Sequence, residues 1–597
     1  MFGKLLHVDL GTGSFREHNV PEDIAIKYIG GKGLGIYLLD SLMEPGTGPL
    51  DPGNVLMFLT GPFTGTAFPT SGRFVVVTKS PLTGMYVDSH SGGHFAKEMR
   101  LAGYDGIIVT GKASGPVYIW LEDGKAEIRD AGEIWGKTVD DTVHSVREMT
   151  HAEARVAVIG PGGENLVPIA TITMDSDSDK FRAGVAGRGG TGAVMGSKNL
   201  KAIAVRGSGA IKLKDEKSFR EQTAEIIKGV NASDSIHTRR IVGTSSLVES
   251  MSRTGILPTR NFQQGYFVPI YGLVSTNLRH YTKRDVACSN CTIMCGKVLE
   301  DEGHAVKVEY ESIALLGSND GIGKMPQLAK AVRVCNQLGI DSISAGGAVA
   351  FAMECRQRGI LPDAPEFGDS EGQIRLLEDI AYRRNLGATL SKGVREAAKE
   401  IGNNTEHFAI HVKGMELPGY EPRATWGMAL AYATADRGGC HQRAWTVLGE
   451  LDGLIPRFKT DGMALTVKSA QDERAAAYSL VVCDFVPYAQ EMALACLKHV
   501  TGWDISETEY LAAGERIWNH IRVFNMREAG ISRKDDTLPP RMFEDPLPMP
   551  PRGEETVSLS RKDFDTMLDE YYSLRGWDSD GRPTAATLER LGINQRI

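Results

Sequence analysis

The chain has 597 residues, of which 42% are hydrophobic and 24% charged, and carries a net charge of −8. A chain this long exceeds one hydrophobic core and argues for three or four domains or sub-domains, while its acidic balance excludes the basic footprint of a nucleic-acid or anionic-membrane partner. The N-terminus, MFGKLLHVDLGTGSF, lacks the pattern of a signal peptide, and no stretch approaches the roughly 18 apolar residues of a membrane span, so the sequence reads as cytoplasmic.

The first two hundred residues read as short strands separated by glycine turns. Residues 4–9, 74–78, 106–110, 116–120, 125–129, 155–159 and 168–173 are strand-length runs, most of them rich in β-branched residues. Helical patches interrupt them at 24–29 and 95–101. From Ser208 apolar residues recur at helical spacing, as in 216–230, 325–338, 342–358 and 372–384. The stretch 416–422 holds two prolines and a glycine and reads as a boundary, after which helices resume at 474–482, 489–499 and 507–527. Prolines between 535 and 555 predict a loop. Ser560 followed by Asp563 predicts a capped helix with Phe564, Met567, Leu568 and Tyr571 on one face. The fold class is α+β: a β-rich domain over 1–207, a mainly helical domain over 208–417 and a second mainly helical domain over 418–597.

Three of the eight cysteines fall within eight positions, Cys288-Ser289-Asn290-Cys291-Thr292-Ile293-Met294-Cys295. A chain of intracellular character has no disulfide use for that density, and crowded thiolates call for a multivalent cation. An iron–sulfur cluster and structural zinc both suit thiolate ligation, and both need a fourth ligand from elsewhere in the chain. Three glycine-rich stretches, Gly30-Gly31-Lys32-Gly33-Leu34-Gly35, Ser91-Gly92-Gly93 and the run from Gly184 to Gly192, read as turns. None follows a dinucleotide or P-loop pattern, but their presence in one domain points to a phosphate-bearing cofactor, because glycines let backbone N–H groups approach an anion.

Together these stretches resemble the tungsten-containing aldehyde:ferredoxin oxidoreductase family from residue 1 to about residue 580. The resemblance is carried by the opening strand and its Gly-Gly-Lys-Gly-Leu-Gly run, Thr70-Ser71-Gly72-Arg73, Lys79 to Gly84, Leu101 to Gly106 and Ala186 to Lys198. It continues through Leu257-Pro258-Thr259-Arg260-Asn261-Phe262, the cysteine run, Tyr310-Glu311-Ser312, Leu338 to Asp341, and Ala433 to His441. It implies a [4Fe–4S] cluster beside a tungsten held by two pyranopterin dithiolenes, sulfurs that would equally hold molybdenum.

By position, the resemblance makes Cys288, Cys291, Cys295 and Cys483 the cluster ligands, with Cys496 the fallback for the last. Cys483 ends a stretch similar to the family's D-x-x-G-x-C motif, although Tyr478 stands at the acidic position and Val481 at the glycine. An earlier copy runs from Asn336 to Asp341, where Asp341 could accept from pterin N–H groups or cap the following helix. Arg73, Gly92, Gly93 and Arg188 look like the N-terminal half of the cofactor cradle. His90 stands where the family has an asparagine associated with a magnesium that bridges the pterin phosphates. Glu311 and His441 match the family's proton-handling glutamate and histidine.

The resemblance implies oxidation of a small aldehyde to a carboxylic acid with water as oxygen source. Electrons would leave through the cluster to ferredoxin or an iron–sulfur partner subunit. Residues 328–331 and 381–384 lack the glutamate and histidine with which some members share an iron between subunits, so any homo- or hetero-oligomer is expected to form without interface iron. Two alternatives stay open: the active-site subunit of an aromatic acyl-CoA reductase, for which residues 253–267 lack the expected Cys and His, and a non-catalytic zinc-stabilised protein.

Overall fold

A computed structural model describes residues 2–175, 184–486 and 488–593. Strands β1 (Lys4–Asp9), β2 (Ser14–Asn19), β3 (Leu56–Leu59), β4 (Phe74–Lys79), β5 (Tyr86–Ser91) and β6 (Gly106–Thr110) form one sheet in the order β2-β1-β6-β3-β4-β5. In it β1 and β6 run parallel and the other neighbours antiparallel. A second sheet has the order β11-β10-β9-β12-β7-β8, built from β7 (Val117–Glu122), β8 (Lys125–Asp130), β9 (Arg155–Val158), β10 (Ile172–Met174), β11 (Gly184–Ala186) and β12 (Leu200–Arg206).

The two-residue alternation of side chains explains how these sheets stack. Leu6, Val8, Phe58, Phe74, Val76 and Ile107 point from the first sheet into a core shared with Ile119, Leu121, Ala157 and Ile203 of the second. Their neighbours in sequence, Leu5, Met57, Leu59, Val75, Val77 and Ile108, point the other way into the large core of the helical half. The outer face of the second sheet is covered by the helix Val139–Met149, whose Val139, Val143 and Val146 pack on Tyr118, Trp120, Val156 and Ala204.

Six of the seven expected strands form over most of their length, whereas the run 168–173 is turn at its start and becomes strand only at its end, in β10. β2, β3, β5, β11 and β12 are additional, and β5 escaped because Asp88, Ser89, His90 and Ser91 break the apolar alternation. One reading is corrected outright: Gly31 to Gly35 is not a turn but the opening of the helix Gly31–Leu42. Its glycines permit close helix packing, since a Cβ on Gly33 would lie 2.7 Å from Ile517 Cδ1 and one on Gly35 2.6 Å from Val77 Cγ2.

The remainder is mainly helical. The helices Met325–Leu338, Ser342–Gln357 and Ser370–Tyr382 form within two residues of expectation, and Met463–Leu480, Gln490–Thr501 and Glu507–Ala529 surround the C-terminal core. Ser560 Oγ accepts from Asp563 N at the start of the helix Arg561–Arg575, which buries Phe564, Met567, Leu568 and Tyr571. The proline-rich stretch is mostly loop, with a short helix at Arg541–Glu544 and a two-residue pairing of Leu547–Pro548 with Thr556–Val557. The stretch 416–422 is buried throughout. Among the described residues no helix is long and apolar enough to cross a membrane.

Candidate active site

The cysteine run is the connection between β13 (Arg284–Val286) and β14 (Gly296–Asp301), which form a small sheet with β15 (His304–Val308). Its backbone is pinned to the N-terminal domain: Ser289 N donates to Gly93 O at 2.9 Å and Thr70 N donates to Asn290 O at 3.0 Å. Gly92 is required by contact, because a Cβ there would lie 2.6 Å from Cys288 Sγ. Cys483 comes from a separate segment, just after the helix Met463–Leu480 ends on Val481 in the left-handed conformation.

The four thiols lie close enough to act on one another electrostatically, Cys483 with Cys291 and Cys295, and Cys288 with Cys291 and Cys295. Burial pushes the Cys483 thiol up to about 12 and raises Cys291 and Cys295 as well, so a cation is needed to hold these groups as thiolates. Part of that charge comes from the buried guanidinium of Arg73, which faces Cys288, Cys483 and Asp484. Among the described residues no three His, Cys, Asp or Glu side chains converge on one ion. The fallback Cys496 is elsewhere, a buried core thiol 4.0 Å from Thr223 Oγ1.

Behind the cysteines lies a fully buried charge network. Lys32 Nζ pairs with Asp88 Oδ1 at 3.2 Å and with Asp436 Oδ2, while Arg443 pairs through Nε with Asp436 Oδ1 at 2.8 Å and through Nη2 with Asp88. Two cations and two carboxylates cancel, which is what lets them be buried. The network ties the helix Gly31–Leu42 and β5 to the 436–443 segment. His90 Nε2 lies 3.1 Å from Asp88 Oδ2, and burial lowers its pKa to about 4.

Several buried polar atoms near this network have no hydrogen-bond partner: Nε of Arg73 and Arg437, and Nδ1 of His90. Arg437 is otherwise fixed, donating through Nη1 to Asp88 O and through Nη2 to Cys440 Sγ at 3.0 Å. Arg188 donates through Nη2 to Glu416 O at 2.6 Å, and its Nε faces Asp341 Oδ2 at 3.1 Å. The open Nε donors of Arg73 and Arg437 beside Gly92 and Gly93 fit an anionic, phosphate-bearing group, while neutral His90, whose Nε2–H is directed at Asp88, offers an acceptor at Nδ1. Asp341 caps the helix Ser342–Gln357, accepting from Ile343 N and Ser344 N. Asn336 stands apart, half-buried near the end of Met325–Leu338 and without a hydrogen bond to any of these groups among the described residues.

Glu311 and His441 meet on the other side of Arg188. Glu311 follows β15 in the short helical turn Tyr310–Ser312, which runs into a π-helical turn, Ile313–Gly317, a distortion frequent at functional sites. Its Oε2 accepts from Gly419 N at 2.8 Å, and its Oε1 lies 3.6 Å from His441 Nδ1, with neither of those last two atoms hydrogen-bonded. Burial raises the Glu311 carboxyl to about 7 and lowers the His441 imidazole to about 3. The Tyr420 ring flanks them, 5.5 Å from His441, 5.0 Å from Tyr310 and 5.9 Å from Trp445. A poised carboxyl beside a neutral imidazole can exchange a proton and orient an oxygen.

Residues 5–207 match the model of the aldehyde ferredoxin oxidoreductase N-terminal domain and residues 221–593 that of domains 2 and 3. The chain belongs to the aldehyde ferredoxin oxidoreductase family. It is 40% identical to the tungsten-containing aldehyde ferredoxin oxidoreductases of Pyrococcus furiosus and Thermococcus kodakarensis, in each case over 99% of both chains. It also matches a solved structure described as the active site complex BamBC of benzoyl coenzyme A reductase with 1,5-dienoyl-CoA, with a TM-score of 0.85 and 25% identity over 99% of this chain and 97% of that one. Within this aldehyde ferredoxin oxidoreductase family chain, sequence reasoning missed Lys32, Asp88, Asp436, Arg437 and Arg443 as parts of the site. The signals were present, a lysine inside a glycine run and two arginines flanking Cys440-His441, but charge alone does not disclose burial.

Proposed function

We propose that the protein oxidises aldehydes to carboxylic acids with water as the oxygen source, at a tungsten bis-pyranopterin, and passes electrons through a [4Fe–4S] cluster to ferredoxin or an iron–sulfur partner subunit. The observation that carries this reading is the Glu311–His441 pair, with unsatisfied atoms 3.6 Å apart and opposite pKa displacements. The cofactor would supply a two-electron acceptor that the cluster can discharge one electron at a time. Cys288, Cys291, Cys295 and Cys483 would hold the cluster, and the open Nε donors of Arg73 and Arg437 would hold the pterin phosphates, with Arg188 and the Nδ1 acceptor of neutral His90 beside the pterin rings and Gly92 and Gly93 allowing close approach. Asp341 serves this by fixing Arg188. Magnesium requires oxygen ligands, whereas His90 offers a nitrogen, so no magnesium is assigned to it.

In this reading ionised Glu311 takes a proton from water or from the aldehyde hydrate. Gly419 N–H holds its second oxygen in place during the transfer. Neutral His441 donates a hydrogen bond to the substrate oxygen.

The solved BamBC neighbour keeps an acyl-CoA reductase as the second reading. The 40% identity to aldehyde oxidoreductases and the absence of Cys and His from residues 253–267 favour the first. Metal analysis should return about one tungsten and four irons per chain, and dye-linked assays should show turnover of aldehydes. Full metal loading with turnover of aromatic acyl-CoA thioesters alone would move the assignment to the second reading.

A further inference from the structure

His441 is followed by a residue that no motif singles out. Gln442 Nε2 lies 2.7 Å from His441 Nε2, while Gln442 Oε1 accepts from the Tyr478 hydroxyl at 2.7 Å. The Tyr478 oxygen is already the acceptor for Arg474 Nη1 at 3.0 Å, so its own hydrogen must go outward. The amide oxygen is the nearest acceptor, closer than Gln442 O at 3.0 Å and Asp484 Oδ2 at 3.4 Å. With its oxygen committed to Tyr478, the amide turns its NH2 group toward His441. An imidazole nitrogen that receives a donor carries no hydrogen, so the single hydrogen of the neutral ring sits on the other nitrogen.

We propose that Gln442, oriented by Tyr478, is the positioning residue that fixes His441 in the tautomer protonated at Nδ1, presenting a donor on the side facing Glu311. The inference rests on the functional reading above and deepens it. It also gives Tyr478 a role: this residue stands where the resemblance expects an acid, and here a phenol that stays protonated in its buried setting supplies the donor that orders the amide. A carboxylate at that position could not donate to the amide oxygen.

The test has two arms. Neutron diffraction from crystals of the metal-loaded enzyme should place deuterium on His441 Nδ1 in the wild type and on Nε2 in Gln442→Glu, because a carboxylate accepts where the amide donated. In parallel, Gln442→Glu should lower kcat for aldehyde oxidation about 10²-fold, the scale of one acid–base contact, with KM nearly unchanged. Tyr478→Phe, which leaves the amide present but unordered, should show deuterium shared between the two nitrogens and a smaller loss of kcat. Deuterium on Nε2 in the wild type, or wild-type kcat in Gln442→Glu, overturns the proposal. Deuterium on Nδ1 in an enzyme that oxidises no aldehyde supports the tautomer assignment and removes the functional reading instead.

Discussion

Glu311 Oε1 and His441 Nδ1 face each other at 3.6 Å, too far for a hydrogen bond and with no other partner for either atom. With the carboxyl raised to about 7 and acting as base, activity should rise with pH through about 7 and level off above it, read as kcat against pH. Glu311→Gln should abolish turnover while tungsten and iron contents stay at wild-type levels. Retained activity would remove Glu311 from the reaction.

The same carboxyl should cost stability. Because its folded pKa of about 7 lies above the ordinary glutamate value of 4.5, the native state binds more protons than the unfolded state between those values, so stability falls as pH rises across that window. The loss saturates above pH 7 at up to about 3 kcal/mol, from 1.36 kcal/mol per unit. Glu311→Gln should therefore resist denaturant better than the wild type at pH 8 and show little difference at pH 4, measured by equilibrium unfolding.

Cys483 and Cys496 separate the cluster ligand from the core thiol. Cys483→Ala should lose most of the four-iron signature in iron analysis and low-temperature EPR, whereas Cys496→Ala should keep its iron and lose only packing energy. Full iron in Cys483→Ala would reassign the fourth ligand.

Gly92→Ala tests the contact behind the cysteine run. The added methyl would sit 2.6 Å from Cys288 Sγ, a distance that forces the loop to move. Iron incorporation should fall while the circular dichroism of the fold is retained. Normal loading would mean that the run is not held by this contact.

Lys32 is the keystone of the buried charge network, and Lys32→Met leaves Asp88 and Asp436 with one cation between them. Breaking a buried ion pair by removing one partner costs about 3–5 kcal/mol, so thermal scans should show a clearly lower unfolding temperature. The double variant Lys32→Met with Asp436→Asn should recover part of it, because the remaining charges of Asp88 and Arg443 balance.

The sequence by itself determined whatever depends on near neighbours. The spacing of Cys288, Cys291 and Cys295, the β-branched runs of the two sheets, the helical periodicity after Ser208 and the cap at Ser560 are all local patterns, because hydrogen-bonding period and ligand spacing act over a few residues. Resemblance extended that reach to Glu311, His441 and Cys483 by position. Tertiary structure decided the rest. It turned a glycine run into a buried helix, since only the approach of Ile517 and Val77 shows why Gly33 and Gly35 must be small. It paired Lys32 with Asp436 across 404 positions, made Asp341 a cap and a partner of Arg188, and aligned Tyr478, Gln442 and His441. Burial and the partner of each charge are properties of the packed chain, and they set the pKa values and the hydrogen positions on which the chemistry depends.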